Sequence, residues 1–260
     1  KEIVRVARVL LSETRSTPEV MEIVSHIHHA IIRRTYQICL DEMAADGLTP
    51  PSGIRFCFLV MGSAGRREML LYPDQDNGFI FENFPDERQA EVDDFFVPFS
   101  EKLNVALARA GYPLCDGDVM ARNKEWRGRL VDWQERLNSW LLDPEPTHVR
   151  NSSIFFDFLP LVGDVDLAHE LRDMVARGIA THQGFLYHMM TLDLRYKVPL
   201  GLLGRFHVEK EGDNAGLLSV KYGGCVYIVD CVRMFALERG IHAISTMDRL
   251  QALVAENVFA

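Results

Sequence analysis

Apolar side chains recur every three or four positions between residues 17 and 46, as they do on one face of a helix. Pro18 suits the first turn of such a helix, and Gly47 suits its end. A similar stripe covers residues 85–110 and is closed by Gly111. The pattern therefore predicts two long helices in the first half of the chain.

Short apolar runs predict strands between and after these helices. Residues 54–61 and 74–81 predict two strands, joined by a turn of small residues and a short helix over Arg66–Leu70. Residues 154–159 are too apolar for a surface strand, so we predict a central strand that is buried on both faces.

From Val165 onward the pattern turns helical, with an interrupted, glycine-rich stretch at 197–218. The fold class predicted is α+β, with a small mixed sheet flanked by helices. We expect three parts: an N-terminal helical segment (1–52), a core (53–164) and a C-terminal helical domain (165–260). In the last part, a first helix is predicted from the apolar positions 167, 171, 174 and 175, and further helices near residues 183–196, 222–239 and 246–258.

Trp126, Trp133 and Trp140 recur every seven residues, so they share roughly one face of a helix. Such a stripe can stack on a nucleobase, but packing in a core is the more common reason for it. We therefore interpret the three tryptophans as core residues.

Composition narrows the function classes. The chain has 260 residues, 48% of them hydrophobic and 25% charged, and a formal net charge of −9. An acidic surface argues against a nucleic acid as the substrate or acceptor. Five cysteines without a Cys-x-x-Cys pair predict reduced thiols and a cytoplasmic location. No apolar run is long enough to span a membrane.

The candidate chemistry begins at Gly62-Ser63, which follows the first predicted strand, and continues at Asp74-x-Asp76 on the second. Glycine lets a backbone approach phosphates closely, and the serine amide and hydroxyl can donate to them. Two carboxylates one residue apart on a strand point to one face and can share divalent metal. This order suits the transfer of a nucleotide with two Mg²⁺ ions.

Asp157 is the predicted third carboxylate. A charge inside the apolar run 154–159 needs compensation, which a metal ion or a cluster of donors can supply. Asp116 and Asp118, in a glycine-containing turn, compete for the same role. His26, His28 and His29 do not share one helical face, so we expect surface or interface residues rather than a zinc site.

The motifs resemble those of known families. Residues 62–68 with Asp74 and Asp76 are similar to the protein-modifying uridylyl- and adenylyltransferases of bacterial nitrogen control (PII uridylyltransferase and glutamine synthetase adenylyltransferase), within the polymerase-β-like superfamily. Residues 115–123 and 219–224 resemble the DUF294 nucleotidyltransferase family, with its own C-terminal substrate-binding domain. The resemblance runs from roughly Val24 to near the chain end.

The resemblance implies a nucleotidyltransferase-fold core, an NTP as substrate and a role in signal transduction. It implies that the phosphates contact Arg66, the arginine that matches the nitrogen-control enzymes, with Arg67 as the alternative. It also implies a phosphate contact for Lys221, for which an interdomain salt bridge is the alternative. Arg122, Asn123 and Lys124 could bind the base or a partner, and Glu68 is interpreted as a structural anchor.

We expect the acceptor to be a protein hydroxyl, for example of a tyrosine, or a small molecule. Two other interpretations remain at this point: a nucleotide-sensing regulatory module without turnover, and a dimerising helical scaffold. Because the chain begins with lysine, we expect it to be part of a longer protein. The resemblance implies CBS or cyclic-nucleotide-binding-like domains upstream.

Overall fold

The computed structural model describes residues 2–13, 16–195, 199–200, 206, 208, 211–212 and 215–259, apart from the Tyr222 side chain. Most of the interrupted stretch at 197–218 thus lies outside the described residues. None of the described helices combines the length and the apolar character that crossing a membrane requires.

The helices are α1 (Glu2–Ser12), α2 (Thr17–Ala45), α3 (Gly62–Gly65), α4 (Gln89–Ala110), α5 (Leu130–Leu142), α6 (Pro146–Phe155), α7 (Val165–Thr181), α8 (Gly184–Asp193), α9 (Val226–Glu238) and α10 (Thr246–Ala255). The strands are β1 (Phe56–Val60), β2 (Asn77–Phe81), β3 (Arg127–Arg129) and β4 (Leu159–Gly163).

The sheet is small and mixed, in the order β3-β2-β1-β4. Strand β1 runs antiparallel to both β2 and β4, whereas β2 and β3 are parallel. The α+β class predicted from the sequence is therefore confirmed.

The two long helices pack together and against one face of this sheet. Tyr36 of α2 meets Phe99 of α4 at 4.9 Å between ring centroids, and Phe58 of β1 meets Phe79 of β2 at 5.1 Å. All four side chains belong to one buried cluster. This cluster also includes Ala64, so it packs α2 and the strands beside the turn that follows β1.

The second strand is shorter than predicted. It begins at Asn77, so Asp74 and Asp76 lie in the segment before it rather than on the strand. Loops, not a neighbouring strand, accept the backbone N–H groups here: Gln75 donates to the Pro113 carbonyl at 3.3 Å and Asn77 to the Val119 carbonyl at 3.0 Å.

The short helix is also displaced from its predicted place. It occupies Gly62–Gly65, and Arg66–Leu70 is not helical. The helix starts directly at the end of β1 because the backbone N–H groups of Gly65 and Arg66 already donate to the carbonyls of Met61 and Gly62.

The prediction of a central strand at 154–159 is wrong. Helix α6 ends at Phe155, Phe158 N–H still donates to the Phe155 carbonyl at 3.0 Å, and β4 starts at Leu159 on the sheet edge. The aromatic side chains are buried nonetheless, and Phe155 stacks on Trp133 at 4.7 Å. A short apolar run in a sequence indicates that the residues are buried. It does not distinguish a buried strand from the buried end of a helix.

The three tryptophans are buried, which confirms the core interpretation. They do not share one helix, because Trp126 ends a 3₁₀ turn before β3, whereas Trp133 and Trp140 lie on α5. Trp133 Nε1 donates to the Phe79 carbonyl at 3.1 Å and so ties α5 to β2.

The chain forms two compact units. The first contains residues 1–139 and 154–175, with the sheet and the aromatic core. The second contains residues 140–153 and 176–260, where Val232, Ala236 and Leu253 form a small core between α9 and α10.

Candidate active site

Glycine occupies two constrained positions in the turn after β1. Gly62 has φ +56°, and a Cβ there would lie 2.9 Å from Asp76 Oδ2. A Cβ on Gly65 would lie only 1.6 Å from the Asp157 carbonyl oxygen. The contact at Gly65 is far closer than a real side chain allows, so this position requires glycine unless the α6–β4 turn moves. At Gly62 the positive φ favours glycine, and a Cβ would crowd the Asp76 carboxylate.

Asp74 and Asp76 meet a third group that the sequence did not indicate. One carboxylate oxygen from each and the thiol of Cys115 lie within 4.8 Å of one another. Asp74 is exposed, while Asp76 and Cys115 are half-buried. Burial, with the Asp76 charge as a smaller cause, raises the pKa of the Cys115 thiol to about 11.

A buried amide network fixes the segment that carries the two aspartates. Asn104 Nδ2 of α4 donates to Gln75 Oε1 at 2.9 Å and to Asn77 Oδ1 at 3.0 Å. Asn104 Oδ1 accepts from the backbone N–H of Arg122, and Asn77 Oδ1 accepts from that of Ala121. The network therefore joins the aspartate segment to the loop that follows Cys115.

Helix α2 supports the same region through two histidines. His28 Nε2 donates to the Leu70 carbonyl at 3.0 Å, so its Nδ1 accepts from the Tyr112 hydroxyl at 2.8 Å. His29 Nε2 donates to the Ala64 carbonyl at 2.8 Å. Both rings are buried, so the expectation of surface or interface residues is wrong for His28 and His29, whereas His26 is exposed.

Burial sets the charge of these histidines. Loss of hydration lowers the pKa of His29 to about 4 and also lowers that of His28. Both rings are therefore neutral at pH 7, which is the state in which Nδ1 of His28 can accept a hydrogen bond.

Arg66 is held between two carboxylates. Its Nη1 donates to Asp157 Oδ2 and its Nε to Glu68 Oε2, each at 2.6 Å. Asp157 is fully buried, and the Arg66 side chain is 13% exposed. Two short bonds to charged groups fix the guanidinium firmly. The role of Glu68 as an anchor is consistent with this contact.

Asp157 thus lies beside the turn, but the group of three close metal-ligand atoms found among the described residues does not include it. Its predicted role as a third metal ligand stays a prediction. Its Oδ2 is ion-paired with Arg66.

Ser63 and Arg67 occupy the outer side of the turn. Ser63 is half-buried, and its carbonyl accepts from the Glu68 N–H at 2.9 Å. Arg67 is exposed and has φ +60°, which is uncommon for a residue with a side chain. The predicted contacts of both residues with phosphates stay predictions.

Residues 1–147 match a family model described as putative nucleotidyltransferase DUF294. Residues 183–260 match a second model, described as putative nucleotidyltransferase substrate binding domain. The chain belongs to the DUF294 family. No curated protein matches it.

The DUF294 match confirms the resemblance stated from the motifs, and the family description is that of an enzyme that transfers nucleotides. Lys221 lies in the part matched by the second model, at the start of a π-helical turn (Lys221–Cys225) that precedes α9, and its side chain is exposed. Lys221 belongs to the second unit, and its predicted phosphate contact is not tested by its position there.

The donor set fits a divalent metal. Two carboxylates close together are the ligands that Mg²⁺ prefers, and the glycine at position 62 keeps the space beside Asp76 Oδ2 clear of a side chain. The role of Asp74 and Asp76 as ligands is therefore chemically consistent with the structure. Other residues of this DUF294 site were missed by sequence reasoning: Cys115, Gln75, Asn77, Asn104, Tyr112 and Ser25, whose hydroxyl accepts from the Met69 N–H.

Two signals could have found part of this set. Cys115 directly precedes the Asp-Gly-Asp turn, so it is a metal-binding side chain beside acidic ones. Gln75 and Asn77 flank Asp76 at positions where an alternating pattern predicts inward-facing side chains. Asn104 carries no such signal, because it stands alone on an amphipathic helix.

Proposed function

We propose that the protein moves a nucleoside monophosphate from an NTP to a hydroxyl acceptor, with Mg²⁺ held by Asp74 and Asp76. The observation that carries this proposal is the meeting of the two carboxylates beside the glycine turn, where Asp76 Oδ2 lies at the edge of Gly62. Family membership supports the reaction class. When bound, the metal neutralises phosphate charge and activates the attacking oxygen.

The reaction joins the acceptor oxygen to the α-phosphorus and cleaves the bond between that phosphorus and the bridging oxygen. Pyrophosphate leaves, and the hydroxyl proton passes to the buffer. The protein must therefore hold a highly charged triphosphate in one orientation, which is mainly a task of positioning and charge.

The chain supplies that positioning from its turn. In the proposal, the backbone at Gly62 and Ser63 binds phosphate oxygens, and Arg66 faces them while Asp157 and Glu68 keep its guanidinium fixed. Arg67 adds a positive charge at the exposed rim of the turn. Asp157 acts here through Arg66.

The acceptor proposed is a protein hydroxyl, such as that of a tyrosine, or a small molecule, because a net charge of −9 disfavours nucleic acid. Attached sensory domains would place the transfer in signal transduction. A cytoplasmic location is part of the same proposal.

The experiment has two stages. Isothermal titration with ATP, UTP, CTP and GTP in MgCl₂ should show binding of at least one nucleotide, weakened at least tenfold in Asp74→Asn/Asp76→Asn. The bound nucleotide, labelled at the α-phosphate, is then incubated with Mg²⁺ and a pool of tyrosine-containing peptides. Label should pass to a peptide with release of pyrophosphate, and the double variant should lose this by about 10³-fold or more.

Asp116→Asn is the matched control, because Asp116 is an exposed carboxylate next to Cys115 and outside the group of three. It should leave both measurements unchanged. If no nucleotide binds, or if the double variant binds as well as the wild type, the proposal fails. Tight Mg²⁺-dependent binding without transfer to any peptide or small hydroxyl compound would instead support the sensing module.

A further inference from the structure

The aspartate pair has a sulfur neighbour. Cys115 Sγ lies within 4.8 Å of an oxygen of Asp74 and of Asp76. No other group of three metal-binding side chains this close occurs in the ranges that the structure describes. The sulfur therefore shares the space in which the proposed metal is bound.

The surrounding backbone holds Cys115 in this place. Its carbonyl accepts from the Asp118 N–H at 2.9 Å, and the Gln75 N–H donates to the Pro113 carbonyl two residues earlier. Asn77 Oδ1 accepts from the Ala121 N–H on the far side of the turn. The loop is thus bonded to the aspartate segment on both sides of the cysteine, and these bonds keep the Cys115 backbone beside the two carboxylates.

The chemistry of this donor set differs from that of a pure magnesium site. Mg²⁺ takes oxygen ligands, whereas sulfur ligands favour zinc, cobalt and cadmium. Zn²⁺ is commonly four-coordinate with sulfur, nitrogen and carboxylate ligands, and it keeps an open position where the protein supplies three.

We propose that Cys115 is a third metal ligand that lets the Asp74–Asp76 site take a zinc-class cation far more tightly than Mg²⁺. The proposal rests on the metal role of the two aspartates in the proposed function. On binding, the sulfur–metal bond replaces the S–H bond and the proton is released to the buffer. Mg²⁺ uses the carboxylates alone, so Zn²⁺ displaces it and arrests the transfer.

The other cysteines serve as internal controls. Cys39 and Cys57 are buried, and Cys225 and Cys231 are exposed in the second unit. Neither exposed cysteine belongs to the group of three. A metal signal that comes from Cys115 should therefore survive their replacement.

The test titrates the full chain with Co²⁺ in the absence of nucleotide. The wild type should develop the near-ultraviolet charge-transfer band of a sulfur–cobalt bond, as should Cys225→Ser/Cys231→Ser. Cys115→Ser and Cys115→Ala should lose the band and bind Zn²⁺ at least about tenfold more weakly. Their Mg²⁺ affinity should stay within about twofold of the wild type, and their thermal unfolding should show a folded protein.

The proposal is overturned if the wild type gives no band, if the band persists in Cys115→Ser, or if Asp74→Asn/Asp76→Asn leaves it unaltered. An equal loss of Mg²⁺ and Zn²⁺ affinity in both Cys115 variants also overturns it, because it would show a structural role only. Failure of the proposed function is recognised separately: the cobalt band can be present while no nucleotide is transferred, and transfer can occur without it.

Discussion

Arg66 is held by two carboxylates, whereas the segment that carries Asp74 and Asp76 is held by neutral amides. One of these amides, Gln75, also donates to the Tyr112 carbonyl at 2.9 Å, and the Tyr112 hydroxyl bonds to His28. The first arrangement fixes a positive charge with negative ones. The second fixes the backbone of negative residues through groups without charge, so the carboxylates keep their attraction for a cation. In the proposed function, Arg66 faces the phosphates and the Asp74–Asp76 segment binds the metal.

The largest effect on stability is expected at the ion pair between Arg66 and Asp157. Asp157→Asn removes the buried partner of Arg66 and should lower the free energy of unfolding by about 4 kcal/mol. If Asp157 positions Arg66 and does not bind metal, Co²⁺ or Mn²⁺ affinity without nucleotide should stay unchanged while nucleotide affinity falls. Urea unfolding and metal titration measure both quantities.

Asp164→Asn is the matched control for that variant. Asp164 pairs with Arg55 at 3.2 Å in a partly exposed setting, and asparagine can keep its hydrogen bond to the Asp166 N–H. Asp164→Asn should lower the free energy of unfolding by less than about 1 kcal/mol. A fall in metal affinity in Asp157→Asn alone would restore the metal-ligand role predicted from the sequence.

Asn104 supports the segment that carries Asp74 and Asp76, and Asn104→Leu should lower the free energy of unfolding by about 3 kcal/mol. The variant takes one hydrogen-bond partner each from Gln75 Oε1, Asn77 Oδ1 and the Arg122 N–H. In this variant the metal affinity should fall together with the stability, because the segment that carries the two aspartates loses its hydrogen bonds to α4. Thermal unfolding and Mn²⁺ titration measure these effects. Asn138→Leu, on an exposed position of α5, should change neither by a measurable amount.

The histidine that ties α2 to the turn predicts a dependence on pH. The pKa of His29 is about 4 in the folded protein and 6.5 in its unfolded reference, so the unfolded state binds the proton more readily between these values. The free energy of unfolding should therefore decrease as the pH falls below 6.5. Between pH 7 and pH 5 this amounts to about 2 kcal/mol.

His29→Gln can keep the donor to Ala64 but cannot take up a proton, so its stability should decline less over this range. His26→Gln, at an exposed position, should decline as the wild type does. Urea unfolding at both pH values compares the three proteins. Parallel curves for wild type and His29→Gln would show that this ring does not link stability to pH.

The smallest effect is expected from Tyr112→Phe. This variant removes the hydroxyl that donates to His28 Nδ1, so it should lower the free energy of unfolding by about 1 kcal/mol. Tyr187→Phe, at a side chain that is 64% exposed, should cost nothing measurable by thermal unfolding. An equal cost in the two variants would mean that the hydroxyl–histidine bond does not support the aspartate side.

The long helices and the glycine turn were predictable because their signals are local. A stripe of apolar residues and a helix end at glycine give α2 and α4 directly, and the order of turn and Asp-x-Asp places the candidate site. The start of β2 was not predictable, since the partners of Gln75 and Asn77 come from a loop some 40 residues later. Their contacts depend on tertiary structure.

The same limit explains Asp157 and Cys115. The sequence shows that Asp157 is buried and needs compensation, but not that Arg66, 91 residues earlier, provides it. It shows a cysteine before an acidic turn, but the distance to Asp76 follows from how two loops fold together. The residue types indicate the chemistry from the sequence alone. Which residues contact one another becomes known only from the folded structure.

The contact between Gly65 and the Asp157 carbonyl offers a practical way to sort uncharacterised chains with this turn. Any side chain at position 65 would collide with the link between α6 and β4 and push the arginine away from its anchor. Chains with a larger residue there must build this corner differently, so one letter of sequence separates proteins in which the corner described here can form from those in which it cannot.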